Sequence, residues 1–263
     1  TLGSIALGAV CTAVFLLSMP TREAGANETT PVKSTPAVLV ELFTSQGCSS
    51  CPPADRVLHG FATANEVADV PVATLSWHVD YWNRLGWTAP YSSAAASRRQ
   101  RRYGRSFRLN AINTPQMIVD GQIHFPGHDL PAARRAIRRA ASQPHARVSL
   151  EPLSLKESRL VGRISVSEIP SGAKNESLDL WLVVAEDPEP NAVPRGENRG
   201  RMLAHRSVAR WQKSIVDGVA EGAVVPVAEE LPLAEWRDTL WAVAFVQGQR
   251  SRRVYGSAMT SLR

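Results

Sequence analysis

Apolar runs divide the chain into a part where strands and helices alternate and a part where strands dominate. Residues 37–45, AVLVELFTS, place Val38, Leu39, Val40 and Leu42 in a nearly continuous apolar run, which predicts a buried strand. PADRVLHGFATA follows with Val57, Leu58 and Phe61 at helical spacing. Pro52 and Pro53 fall in the first turn of that helix, where a missing N–H costs little. VPVATLSWHV, residues 70–79, predicts a second buried strand.

Residues 92–109 have helical composition and carry Arg98, Arg99, Arg101, Arg102, Arg105 and Arg108. PQMIVDGQIHF predicts a hairpin turning at Asp120-Gly121. DLPAARRAIRRAASQ is a further helix, with Leu130, Ala133, Ile137 and Ala140 on one face. After about residue 145 the segments ARVSLEPLSL, RLVGRISVSEI, LDLWLVVAED, LWAVAFVQG and RRVYGSAM all read as strands. That half is expected to form a sandwich, or a sheet packed on the first half. No internal repeat is present.

With 263 residues, 44% of them hydrophobic, the chain can bury a large core in one large domain or two small ones. The formal net charge of +6 favours anionic partners without choosing among nucleic acid, lipid and acidic polypeptide. The leading segment narrows the choice. IALGAVCTAVFLL, residues 5–17, has the length of a secretory apolar core and is short for a membrane span, which needs roughly 20 residues. Ala24-Gly25-Ala26 gives the small-x-small pattern of a cleavage site, so residues 1–26 are read as a signal peptide and 27–36 as a polar linker. The alternative is an uncleaved anchor. Val10 stands where a lipoprotein would carry a small residue before Cys11. Export to the periplasm or medium makes nucleic acid an unsuitable partner. It also leaves Cys48 and Cys51 as the cysteines of the mature chain, in an oxidising compartment.

SQGCSSCPPAD puts Cys48 and Cys51 between the first strand and the first helix. A helix N-terminus offers free N–H groups and a positive dipole end, and both favour a thiolate, the nucleophile of disulfide exchange. Cys48 is expected to be the more exposed attacking thiol and Cys51 the resolving one. Three readings stay open: a redox dithiol, an inert disulfide, and a soft metal site completed by His78. The inert reading is weakened by the tiny loop the pair would close.

The order strand, C-x-x-C, helix, strand, helix, Thr114-Pro115, hairpin, helix resembles the thioredoxin superfamily. The resemblance implies a cis-proline facing the dithiol and backbone groups offered to an extended substrate. Carried over, Cys48 and Cys51 are the catalytic pair, and Thr114, Pro115 and Gln116 bind substrate. Two departures stand out: Ser49-Ser50 replaces the Gly-Pro of thioredoxins, and an arginine-rich helical stretch precedes Thr114. A narrower resemblance covers most of the mature chain. ELFTSQGCSSCPPAD, SWHVDYWNRLGW, TPQMIVDG and RGENRGRMLAH are similar to segments of the secreted bacterial family called domain of unknown function 1223.

The fold expected is therefore an α/β thioredoxin-like domain with a helical insertion over residues 37–145, followed by a β-rich region over 146–263 packed on it. The function expected is thiol–disulfide exchange on envelope protein thiols or disulfides, with no cofactor, no nucleic acid and no membrane span after cleavage. A metal-handling module for copper or zinc and a non-catalytic peptide-binding domain are the alternatives. His78 and Asp80 are supporting candidates, with a purely structural histidine as the simpler reading. Trp77, Tyr81, Trp82 and Trp87 either floor a groove or pack the core. The arginine-rich stretches read as solvated helix faces, or as a surface for an acidic partner or anionic lipid. His59, His124, His128, His145 and His205 are scattered without ligand spacing. Glu197 and Asn198, between Gly196 and Gly200, read as a structured loop that either stands apart or lines the groove. No P-loop, dinucleotide fingerprint, G-x-S-x-G or H-E-x-x-H occurs.

Overall fold

A computed structural model describes residues 1–3, 36–63, 66–233, 236 and 239–262. The apolar run at 5–17, the Ala24-Gly25-Ala26 site and residues 27–35 of the linker lie outside the described residues. The elements of the first part are β1 (Val38–Thr44), α1 (Cys51–Thr63), β2 (Val72–His78), α2 (Ala94–Ser106), β3 (Gln116–Val119), β4 (Ile123–Pro126) and α3 (Leu130–Ala141). Then follow β5 (Arg147–Lys156), β6 (Arg159–Ser167), β7 (Leu178–Asp187), β8 (Asn191–Ala192), β9 (Met202–Leu203), β10 (Val208–Asp217), β11 (Ala223–Glu230), β12 (Thr239–Gly248) and β13 (Val254–Leu262).

These strands overturn the expected fold class. The chain is mostly β, with three α-helices among the described residues, and is not an α/β thioredoxin-like domain with a helical insertion. A mixed eight-stranded sheet runs β13-β12-β7-β10-β2-β1-β3-β4 and draws strands from both halves. The physical reason lies at β2. It pairs in parallel with β1 from Val38↔Val72 to Thr44↔His78, and its other edge is taken by β10 through Val208↔Ser76. The Ser76 amide donates to the Ser207 carbonyl at 2.8 Å, which fixes that junction. The arginine-rich stretch is a single helix, α2, packed into the core rather than appended to it.

Alternation along the strands sorts the core. Val38, Val40 and Leu42 face α1 and α3. Leu39 and Phe43 face the other way, with Leu75, Trp77 and Tyr103 of α2. A three-stranded sheet, β11-β6-β5, covers β7 and β12 on the α1–α3 side through Leu160, Ile164, Leu180 and Leu182. Leu42 and Phe43 have no exposed surface, and burial of such side chains contributes roughly 1.5–3 kcal/mol each. The hairpin turns at Asp120 (φ 44°) and Gly121 (φ 64°), both left-handed, with the Gln122 amide closing on the Val119 carbonyl at 2.9 Å before the Val119–Ile123 pair. The Asp120 carboxylate secures it by accepting from the Leu39 amide at 2.8 Å.

Among the described residues no helix is long and apolar enough to cross a membrane.

Candidate active site at the start of the first helix

A disulfide joins Cys48 and Cys51, whose Cα atoms are 5.5 Å apart. β1 carries the chain to Thr44. A tight turn then brings the Cys48 amide onto the Ser45 carbonyl and the Cys51 amide onto the Cys48 carbonyl, each at 3.2 Å. Cys51 is the first residue of α1, so its sulfur stands at the positive end of a 13-residue helix. The Cys48 Sγ lies 3.9 Å from the Thr114 carbonyl, which would accept its S–H in the reduced form, and 3.4 Å from the Ser50 hydroxyl. The Thr114-Pro115 bond is cis.

Cys48, expected to be the more exposed thiol, is as buried as Cys51: both have 0% exposure. Ser49 and Ser50 between them are exposed. A loop about 150 positions downstream is clamped onto the backbone of this turn. Glu197 accepts from the Ser49 amide at 2.8 Å and from its hydroxyl at 2.7 Å. Those two donors hold the Glu197 carboxyl below the usual carboxylate range. Asn198, fully buried, donates its amide to the Gln46 carbonyl at 3.0 Å and the Cys48 carbonyl at 2.7 Å. Arg201 donates to Asn198 Oδ1 at 3.0 Å, which leaves Nδ2 facing the dithiol loop. Gly196, at φ 88°, brings its backbone against Gly47, where a Cβ would stand 3.4 Å from the Gly47 Cα. Glu197 and Asn198, read as a structured loop with lining of the groove as the lesser alternative, lie against the dithiol turn. The Gly196–Gly200 spacing within RGENRGRMLAH was the available signal.

Of the residues expected to bind substrate, Thr114 lies beside the disulfide, whereas the Gln116 side chain is bonded on the α2 side. Trp82 Nε1 donates to Thr114 Oγ1 at 2.8 Å, and Gln100 donates to Gln116 Oε1 at 3.0 Å. The Pro115 carbonyl accepts from the Gly127 amide at 3.1 Å. Gln116 pairs with Phe43 on one side and Pro126 on the other.

His78 and Asp80 are not brought together. Asp80 accepts from the Ser97 hydroxyl at 2.5 Å, on α2. His78 projects from the opposite face, where neither ring nitrogen has a hydrogen-bond partner. Its ring meets His205 edge-on at 4.5 Å and Tyr91 at 5.5 Å. Burial first, then the charges of His205 and Arg210, push His78 well below the ordinary imidazole value. His205 is the residue the sequence did not single out. Gln46 Nε2 lies 3.0 Å from His205 Nε2 and 2.6 Å from Asn191 Oδ1. The other ring nitrogen of His205, Nδ1, faces Asp55 of α1 at 3.8 Å. Thr44 and Ser76, which share this face by strand alternation, also have unpartnered buried hydroxyls. A cleft of about 220 Å³ between Pro52, Asp55 and His59 of α1 and Met202–Ala204 opens onto the Asp55 side.

The opposite face of β2 carries a second buried polar cluster. Glu41 accepts from Trp77 Nε1 at 2.7 Å, from Arg99 at 2.5 and 3.1 Å, and from the Tyr103 hydroxyl. Gln247 closes it, donating to the Tyr103 oxygen at 2.9 Å and accepting from Arg99 at 3.3 Å. Burial opposes the charge on Arg99, but Glu41 overrides it and keeps the guanidinium protonated. Trp77 is therefore core, as packing predicts. Among the described residues no group of three or more His, Cys, Asp and Glu side chains could hold a metal ion.

A crystal structure of a protein from Agrobacterium tumefaciens is similar at 24% identity and a TM-score of 0.63, covering 88% of this chain and 96% of that one. HBP35 of Porphyromonas gingivalis is similar at 13% identity and a TM-score of 0.64, covering 86% of this chain and 75% of that one. At such identities the likeness shows the fold alone. No curated protein matches the chain. The sequence matches the family described as "Protein of unknown function (DUF1223)" over residues 39–247, and the chain belongs to that family.

Proposed function

We propose that this protein carries out thiol–disulfide exchange through Cys48 and Cys51, as an exported protein acting on envelope protein thiols or disulfides. One observation carries the reading: a closed Cys48–Cys51 disulfide whose second sulfur belongs to the first residue of α1. A thiolate released there gains from the helix N–H groups and dipole.

In the oxidising direction a partner thiolate attacks the Cys48 sulfur. The Cys48–Cys51 bond breaks, its electron pair leaves on the Cys51 sulfur, and the partner is held to Cys48 by a mixed disulfide. The partner's second thiolate then attacks the partner's own sulfur in that bond, which closes the partner disulfide and expels the Cys48 thiolate. The partner dithiol loses two electrons and two protons, and the protein gains both. The reverse sequence starts with the Cys48 thiolate attacking a partner disulfide.

Because both cysteines are buried, exchange requires this turn to open, and the bonds from Glu197 and Asn198 to residues 46–49 oppose that opening. The same burial favours a second reading, a structural disulfide beneath a fixed cap. A metal-handling role draws no support from this geometry, because His78 turns toward His205 and Tyr91. Expression of Cys51→Ser in the native envelope, followed by mass spectrometry of adducts on Cys48, separates the first two readings. Exchange predicts mixed disulfides with envelope proteins that are absent from Cys48→Ser/Cys51→Ser. Their absence, with a wild-type disulfide that no thiol reduces without unfolding, would establish the structural reading.

A further inference from the structure

We propose that the cleft between α2 and the turn joining β12 to β13 binds a phosphate group, borne by a small molecule or by a lipid headgroup. The cleft has a volume of about 400 Å³ and is lined by Arg102, Arg105, Ser106, Arg250 and Arg252. That is within the size range of small-ligand sites. Four arginines line it and no carboxylate does, although the Arg250 guanidinium also donates to the Asn175 carbonyl at 2.6 Å.

The charges are not neutralised from behind. Arg99, which walls a deeper recess of about 10 Å³ together with Arg102, Tyr103, Gln247 and Arg252, is already paired with Glu41. Asp179 pulls on Arg252 from a distance but accepts from Gln249 at 2.7 Å. Glu176, beneath the turn, accepts from the Arg250 and Ser251 amides and from the Ser251 and Tyr255 hydroxyls. Arg102, Arg105 and Arg252 have no ion-pair partner among the described residues.

Ordinary helix chemistry accounts for only part of this. A cation in the last turn of α2 suits the helix dipole, which explains Arg105. It does not explain Arg102 one turn earlier on the same face, where like charges repel. Nor does it explain Arg252, held at φ 60°, a backbone region unfavourable for a long side chain. Burial chiefly, and then the neighbouring charges of Arg102 and Arg99, lower the Arg252 guanidinium from its ordinary value. A phosphate relieves that repulsion, and its oxygens match the planar guanidinium fork. Several arginines gathered in one small cleft fit a single polyanionic group better than an extended acidic chain. The site is independent of the dithiol, because α2 packs on the face of the sheet opposite α1.

The test uses pyrophosphate as probe, with thermal unfolding and calorimetry of the full chain. Pyrophosphate should raise the unfolding midpoint more than sodium chloride of equal ionic strength. Arg102→Gln/Arg252→Asn should weaken calorimetric binding at least tenfold while leaving the midpoint without ligand unchanged or higher; Asn is chosen because it tolerates the φ of residue 252. No response beyond that to chloride, or equal binding by the double variant, would overturn the proposal. Sedimentation with phosphatidylglycerol vesicles, competed by pyrophosphate and lost in the double variant, would place the phosphate on a lipid. Pyrophosphate binding without vesicle binding would place it on a soluble molecule.

Discussion

Trp77 and His78 are neighbours in β2, yet they face two buried polar clusters of opposite kinds. On the α2 side, Glu41, Arg99, Tyr103, Trp77 and Gln247 are tied together by charge-assisted bonds. On the α1 side, His78, Thr44 and Ser76 carry buried polar atoms with no partner, and His205 Nδ1 faces Asp55 without a hydrogen bond. A saturated buried network rigidifies a fold, whereas an incompletely satisfied one costs stability and calls for another explanation. The unsaturated cluster reaches the dithiol loop through Gln46, and the saturated one does not. The difference separates a network that ties the sheet together from one that leaves buried polar atoms unpartnered near the dithiol loop.

The comparison breaks most visibly at Glu41. Replacing it with Ala strands Arg99 as a buried charge, a change that typically costs about 3–5 kcal/mol. Urea unfolding should show that loss. Any folded fraction should keep the wild-type rate of disulfide reduction, since the network lies across the sheet from α1.

Asn198→Ala is the next largest. It leaves the Gln46 and Cys48 carbonyls without their donor, at a cost of about 1–3 kcal/mol. Here stability and chemistry should move together, with faster reduction by dithiothreitol as the cap loosens. Slower or unchanged reduction would mean that the loop does not guard the disulfide.

His78 sharpens the contrast through pH. Its folded pKa lies below the unfolded value of about 6.5, so below that pH the unfolded chain binds a proton that the folded chain refuses. The neutral imidazole's share of stability is therefore intact above about pH 6.5 and declines as pH falls below it, by at most about 1.4 kcal/mol per pH unit for one proton. His78→Gln should flatten the stability profile in the mildly acidic range. An unchanged acid slope would show that His78 is not a source of it.

The smallest effect belongs to Glu197→Gln. The residue is exposed, and its loss should not measurably change the unfolding midpoint. Reduction should still accelerate slightly, because the clamp on Ser49 weakens.

Local features of this molecule were legible in the sequence. The apolar run of β1, the Asp120-Gly121 turn and the cysteine pair each announce themselves within a few residues. The long-range features were not. β10 went unread because bulges between Ala209 and Trp211 and between Ser214 and Val216 interrupt its two-residue alternation. The missing strand hid the continuous sheet, and with it the reason the expected fold class fails. His205 and Asn198 reach Gln46 across 159 and 152 positions, a closure that no local pattern encodes. The arginines of α2 looked alike in sequence, yet Arg99 is core, while Arg102 and Arg105 line a cleft.

The central claim is that Cys48–Cys51 opens and closes in the folded protein. Purified wild type and Asn198→Ala should be equilibrated across a series of reduced and oxidised dithiothreitol or glutathione ratios. Free thiols are then alkylated, and intact mass counts the labels. The label count should convert reversibly between none and two on Cys48 and Cys51, with circular dichroism unchanged and the variant converting faster. Label appearing only where the circular dichroism reports unfolding would contradict it and leave the disulfide as a structural staple.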